Sequence, residues 1–237
     1  MKTCFLTLFA PAVPLLALVS AAVPAADIPM APFEIPAVGS WDNITNLAYL
    51  NEKPAGRHGF VRVEGDRFVD GRGERIRFLG GGLIRAACFP PHDLAAPLAE
   101  RLAMQGFNLV RVHHVDTSHA PNGFWDPEYD DKHHLDAEQL DRFDYLVAQL
   151  KQHGVYLNIN LHVSRTFTEA DGIPQAAELP RMGKSVTLFI PRMIELQKKY
   201  ARDLLTHRNA YTDRRTVDDP ALAFVEINNE NSLVRDS

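Results

Sequence analysis

The sequence predicts an α/β chain: the first four strands of a (β/α)8 barrel, preceded by a short β-hairpin. Three observations lead there. From about residue 76 to residue 228, extended apolar runs alternate with helical stretches of period 3.6, a pattern that calls for a parallel sheet with right-handed crossovers. The turn after the first strand, GGGLIRAACFPPHD, lacks the G-x-G-x-x-G order and an immediate helix, which argues against a dinucleotide-binding open sheet. In every strand the polar residues gather at the C-terminal end, where barrel enzymes keep their chemistry.

In chain order, residues 1–26 read as a secretory signal peptide: Lys2, an apolar stretch, and small residues before Asp27. A membrane anchor is the alternative, but Pro11, Pro14 and Pro24 break the run below the ~20 uninterrupted apolar residues of a spanning helix. Export to the periplasm or the medium is the expected destination. Cys4 would leave with the leader, so Cys88 has no partner for an intrachain disulfide. Residues 27–59 are rich in Pro and Ala, carry Trp41 and read as an irregular lead-in. The turns EGDR and DGRGE separate short runs of a hairpin, and a first core strand is expected at 76–80, ending in three glycines.

A helix follows, with Asp93 as N-cap, Leu94, Leu98 and Leu102 on one stripe and Gly106 as the stop. The second strand spans 107–114, and a loop of about twenty residues follows it. The next helix opens on a capping box of Asp136 and Gln139, carries the stripe Leu140, Phe143, Val147 and Leu150, and ends at Gly154. The third strand spans 155–162, a third helix has Ile194, Ala201 and Leu205 on its apolar face, and the fourth strand spans 221–228.

Side chains alternate along a strand, which puts Glu226, Asn228 and Glu230 on one face, with Asn229 turned away or at the rim. Tyr156, Asn158, Asn160 and His162 share a face, as do Leu109, Arg111 and His113. Polar inner faces on three strands are costly unless each group is paired or faces a wet cleft, so they read as a barrel's interior and mouth. Adjacent histidines on a strand point to opposite faces, so neither His113–His114 nor His133–His134 chelates a metal by itself. On this reading His113 can line a cleft while His114 packs outside. Trp125, Phe124 and Tyr129, in the loop after the second strand, either stack on a bound ring or plug the loop.

The spacing Glu226-x-x-Asn229-Glu230 at the end of a fourth strand resembles the E-x-x-N-E signature of the cellulase-type retaining glycoside hydrolases, family 5 and its relatives in the (β/α)8 clan. Arg111 in NLVRVHH and His162 in GVYLNINLHV match the arginine of the second strand and the histidine closing the third, and about 170 residues from Phe60 to Asn231 fit in order. The resemblance implies that Glu230 is the general acid/base and that Asn229 binds the sugar 2-hydroxyl. It implies that Arg111 and His162 shape the sugar site; His113, at the end of its strand, and Trp125, in the loop at the catalytic face, are expected substrate contacts from their positions rather than from the resemblance. One departure stands out: the residue after Glu230 is Asn231 where the family usually has proline. The plainer alternative for Glu230 is a strand-terminal residue capping the next helix.

The expected activity is therefore hydrolysis of β-linked oligosaccharide or polysaccharide by two carboxylates, without metal or cofactor. The acid must keep its proton near neutral pH, which calls for desolvation or a second carboxylate beside it. The runner-up is a barrel that binds carbohydrate without cleaving it. A formal charge of −5 with no long run of either sign suggests neither nucleic acid nor a membrane surface as partner. A (β/α)8 barrel takes about 250 residues, and strand four is reached only near residue 228. In the family the nucleophile ends strand seven, so the chain is expected to be an incomplete copy of a longer protein: residues 60–237 would be a partial catalytic domain, inactive alone.

Overall fold

The computed structural model describes residues 44–233. The expected leader, the lead-in as far as residue 43 with its Trp41, and residues 234–237 lie outside the described residues. Three strands, β1 (Arg62–Glu64), β2 (Arg67–Val69) and β3 (Arg75–Ile76), form a small antiparallel sheet. The expected hairpin thus has a third strand, in which Ile76 pairs with Phe68 and Arg75 with Val69.

The parallel sheet begins at β4 (Gly80–Ile84), four residues later than the expected 76–80. Glycines are poor strand formers, so the triplet reads as a stop. In the structure Gly80, Gly81 and Gly82 pair in register with Leu109, Val110 and Arg111. Next come α1 (His92–Met104), β5 (Leu109–His113), α2 (Ala137–Gln152), β6 (Tyr156–Asn160) and α3 (Pro191–Thr206). A short ladder of β7 (Arg208–Asn209) and β8 (Arg214–Arg215) precedes β9 (Leu222–Glu226). The four long strands run parallel in the order β4-β5-β6-β9, half of a barrel wall, with α1, α2 and α3 in the crossovers.

The helices follow the predicted period with shifted faces. In α1 the buried residues are Ala95, Ala99, Ala103 and Met104, while Leu94 is exposed and Leu98 and Leu102 only flank the core. Its N-cap position is Pro91, not Asp93. In α2 the Asp136 side chain accepts from the Gln139 amide at 2.7 Å, but the reciprocal half of the capping box is replaced: the Gln139 side chain donates to Pro121 O and Gly123 O and ties down the preceding loop. Gly154 ends that helix at φ +77°, where a Cβ would lie 2.5 Å from Glu52 O, so only glycine fits. In α3 the buried stripe is Met193, Leu196, Tyr200 and Leu204. Of the expected face, Ala201 and Leu205 pack against the core from its edge, and Ile194 with Ala201 lines an apolar groove shared with Leu161 and Ile227.

The two ends of the sheet differ. At the N-terminal end Phe68, Phe78, Tyr156 and Phe224 pack edge to face, with ring centroids 5.1–6.0 Å apart, and close the bottom beneath the small sheet. Val110, Val112, Leu157 and Ile159 turn outward into the core under the helices. Polar side chains are left to collect at the C-terminal end.

Candidate active site

Arg111 is the hub of that end. From the middle of β5 its guanidinium meets Glu226 in a two-point fork, Nε to Oε1 and Nη2 to Oε2, each 2.7 Å. Nη2 also donates to Asn229 Oδ1 at 2.9 Å. Asn158 and Asn160, on the inner face of β6, donate to the two Glu226 oxygens at 2.6 and 2.8 Å. Register makes this possible: Arg111 lies beside Asn158, and Asn160 beside Glu226, across adjacent parallel strands. The Arg111 fork, with Asn158 adding a hydrogen bond, holds the Glu226 carboxyl below its usual pKa, and Glu226 in turn raises that of Arg111.

Regular strand geometry stops at Glu226, and the expected alternation stops with it. Asn228 turns to Asn231, while Asn229 reaches the same guanidinium as Glu226. The Asn229 amide donates to His162 O at 2.8 Å, extending the β6–β9 pairing past the strand ends. Glu230 then takes a left-handed backbone, φ +48°, and is exposed. The desolvation expected for an acid there is not provided by the described residues.

His113 ends β5 at this mouth, with Nδ1 3.5 Å from Asn160 Nδ2. Burial, with Arg111 and His114 adding repulsion, lowers its pKa to about 4, so the ring is neutral. The expectation that His114 turns to the opposite face fails, because φ +58° breaks the strand there and its ring packs against His113 at 4.2 Å. His114 Nδ1 also meets Ser164 Oγ at 2.7 Å.

Two expected sugar contacts are displaced. Trp125 is 1 % exposed: its Nε1 donates to Asp116 O, and its ring packs between Tyr200 and the Arg165 guanidinium. The plug reading of that loop holds, with Phe124 fully buried beside Phe89 and Phe143. Tyr129 stacks on His134 at 3.9 Å. The His162 ring is 3 % exposed, tucked near Phe167 and 3.7 Å from Asp116. Its backbone carbonyl, rather than its imidazole, supports Asn229. Burial, then Arg165 and Lys184, lower the His162 pKa to about 4.

Away from the mouth, Glu52, His58 and Asp70 bring three possible ligand atoms within 4.8 Å of one another. The Arg72 guanidinium bridges Glu52 and Asp70 at 3.1 and 2.9 Å and supplies the positive charge that cluster needs.

Sequence reasoning missed Lys184. It is buried in the loop before α3, and its Nζ donates to Asn229 O at 2.7 Å. No local motif marks it, since its partner lies 45 residues away.

No protein-family model and no curated protein matches the chain. Solved structures do. An endo-1,4-β-mannanase from Rhizomucor miehei superposes with a TM-score of 0.57 at 19 % identity, over 73 % of this chain and 48 % of that one. A glycoside hydrolase family 5 mannosidase from the same organism gives 0.57 at 16 %, over 73 % and 49 %. A variant of a family 5 mannosidase from that organism, in complex with mannosyl-fructose, gives 0.54 at 14 %. The chain spans about half the length of these proteins and shares the partial (β/α)8 fold of family 5; the likeness does not single out the cellulase type.

Proposed function

We propose that this chain supplies the acid/base wall of a retaining β-glycosidase. The observation that carries the reading is the fork from Arg111 to Glu226 and Asn229, which anchors Asn229, the residue before Glu230, at the open end of the parallel strands. Glu230 would protonate the leaving glycosidic oxygen and later, as base, activate water. Asn229 would bind the 2-hydroxyl. Glu226, saturated by Arg111, Asn158 and Asn160, would stay ionised and act as a brace.

A retaining reaction needs a second carboxylate about 5–5.5 Å from the acid. By the family resemblance it comes from strand seven, on the far wall, which would also exclude water from the exposed Glu230. Mannosides are the first substrates to try, because the structural neighbours include a mannanase and a mannosidase. Export, read from the N-terminal sequence, fits an enzyme acting on polysaccharide outside the cell.

Catalysis on this fold rests on eight strands, of which these residues provide four, so the assay takes the polypeptide with the complete barrel. Aryl β-mannosides and β-glucosides are incubated with it, and the first-formed sugar is followed by proton NMR. Release of the β-anomer is expected. An inverted product, or no release from any β-glycoside, contradicts the reading.

A further inference from the structure

We infer that Lys184 and Asn231 form a clamp that sets the direction of the Glu230 carboxyl, as positioning residues for proton transfer. The inference rests on Glu230 being the acid/base. Glu230 is exposed and its backbone is left-handed, a conformation that costs a non-glycine residue about 1–2 kcal/mol. The aim of the side chain therefore depends on what holds residues 229–231 in that bend.

Three ties do so. Arg111 holds the Asn229 side chain from the barrel interior. From the loop preceding α3, Lys184 Nζ lies 2.7 Å from Asn229 O and 3.4 Å from Glu230 O. Asn231 Oδ1 accepts from the Ser185 amide at 2.8 Å, and its Nδ2 donates to Thr187 Oγ1 at 3.0 Å and Asn228 Oδ1 at 3.3 Å.

Lys184 is 3 % exposed, so its ammonium is committed to the interior rather than to water. The loop is itself bent to meet the strand end, with Ser185 at φ +70° and Met182 at φ +63°. Two strained backbones thus face each other and are joined by charge-assisted and amide hydrogen bonds. Asn231 stands where the resembled family has proline. A proline there could not supply the side-chain bonds to Ser185 and Thr187. The departure in the motif and the buried lysine are two sides of one contact.

Reorienting a proton donor by about 1 Å costs up to about 100-fold in rate. In the polypeptide with the complete barrel, Lys184→Met is expected to lower kcat 10- to 100-fold on a substrate with a poor leaving group, with KM nearly unchanged. Substrates with activated leaving groups, which need little protonation, should lose less than about threefold. Asn231→Ala should show the same split more weakly, and Lys184→Arg should restore part of the rate. Equal losses on both substrate classes would mean that Lys184 only supports folding, and would overturn the clamp. If Glu230→Gln shows the leaving-group split and Lys184→Met does not, the clamp fails while the acid assignment stands. If neither shows it, the acid assignment falls as well. A crystal structure of Lys184→Met gives a reading independent of activity: loss of the left-handed Glu230 backbone supports the clamp, and its retention overturns it.

Discussion

Two polar networks lie a few residues apart in this half-barrel and behave differently. At the strand ends, Arg111, Glu226 and Asn229 are half-buried, face the open mouth, and lead to an exposed Glu230. Behind them, Asp116 and Arg165 are sealed. Asp116 accepts from the amides of Val163, Ser164 and Arg165, and Arg165 lies between the rings of Trp125 and Phe167, reaching Lys132 O and Asp171. Burial raises the Asp116 carboxyl pKa against the pull of those amides. The second network supports the loops from inside; the first ends at an exposed carboxylate. A polar residue just past a barrel strand is therefore not a site residue by position alone.

Removing the aromatic plug should hit stability hardest. Trp125→Ala is expected to cost about 3–5 kcal/mol, the usual range for truncating a buried large aromatic, read as a fall in urea midpoint. Asp116→Asn keeps one acceptor oxygen but strands part of the amide cluster, and should cost about 2–3 kcal/mol. A comparable effect separates the networks by pH. The His162 pKa is lowered to about 4 in the folded chain against an ordinary 6.5, so the unfolded chain binds the extra proton between those values. Stability contributed by neutral His162 is full above about pH 6.5 and is lost as pH falls toward 4, by about 3 kcal/mol. The raised Asp116 carboxyl works in the opposite sense. The test therefore compares wild type with His162→Gln, whose stability should fall less steeply across that window; parallel curves would contradict it. Smallest of all, Glu230→Gln should change stability by less than about 0.5 kcal/mol, as an exposed carboxylate does.

Much of this comparison was legible before the fold was known, because strand and helix periods are local. The parallel order and the polar strand ends follow from alternation, while Arg111, Asn229 and Glu230 were marked out by the motif alone: alternation turned Asn229 away from Glu226, yet both meet the Arg111 guanidinium. What was not legible depends on partners distant in sequence. Gly80–Gly82 enter a strand because Leu109–Arg111 run alongside them. Ala95 rather than Leu94 is buried because α1 presents its small residues to the core. Trp125 turns inward because Arg165 and Tyr200 offer it a slot. His114 leaves the strand pattern through a left-handed backbone that no local residue announces. The loop carrying Lys184 has no periodicity to read.

The contrast between a bracing interior and a working mouth meets its most direct test at Glu230. In the polypeptide with the complete barrel, turnover of an unactivated β-glycoside by Glu230→Gln is measured beside its urea midpoint. The account predicts an unchanged midpoint with turnover down by at least ~100-fold, the scale of a positioned proton donor. Wild-type turnover in that variant, or a midpoint lowered as much as that of Asp116→Asn, would contradict it.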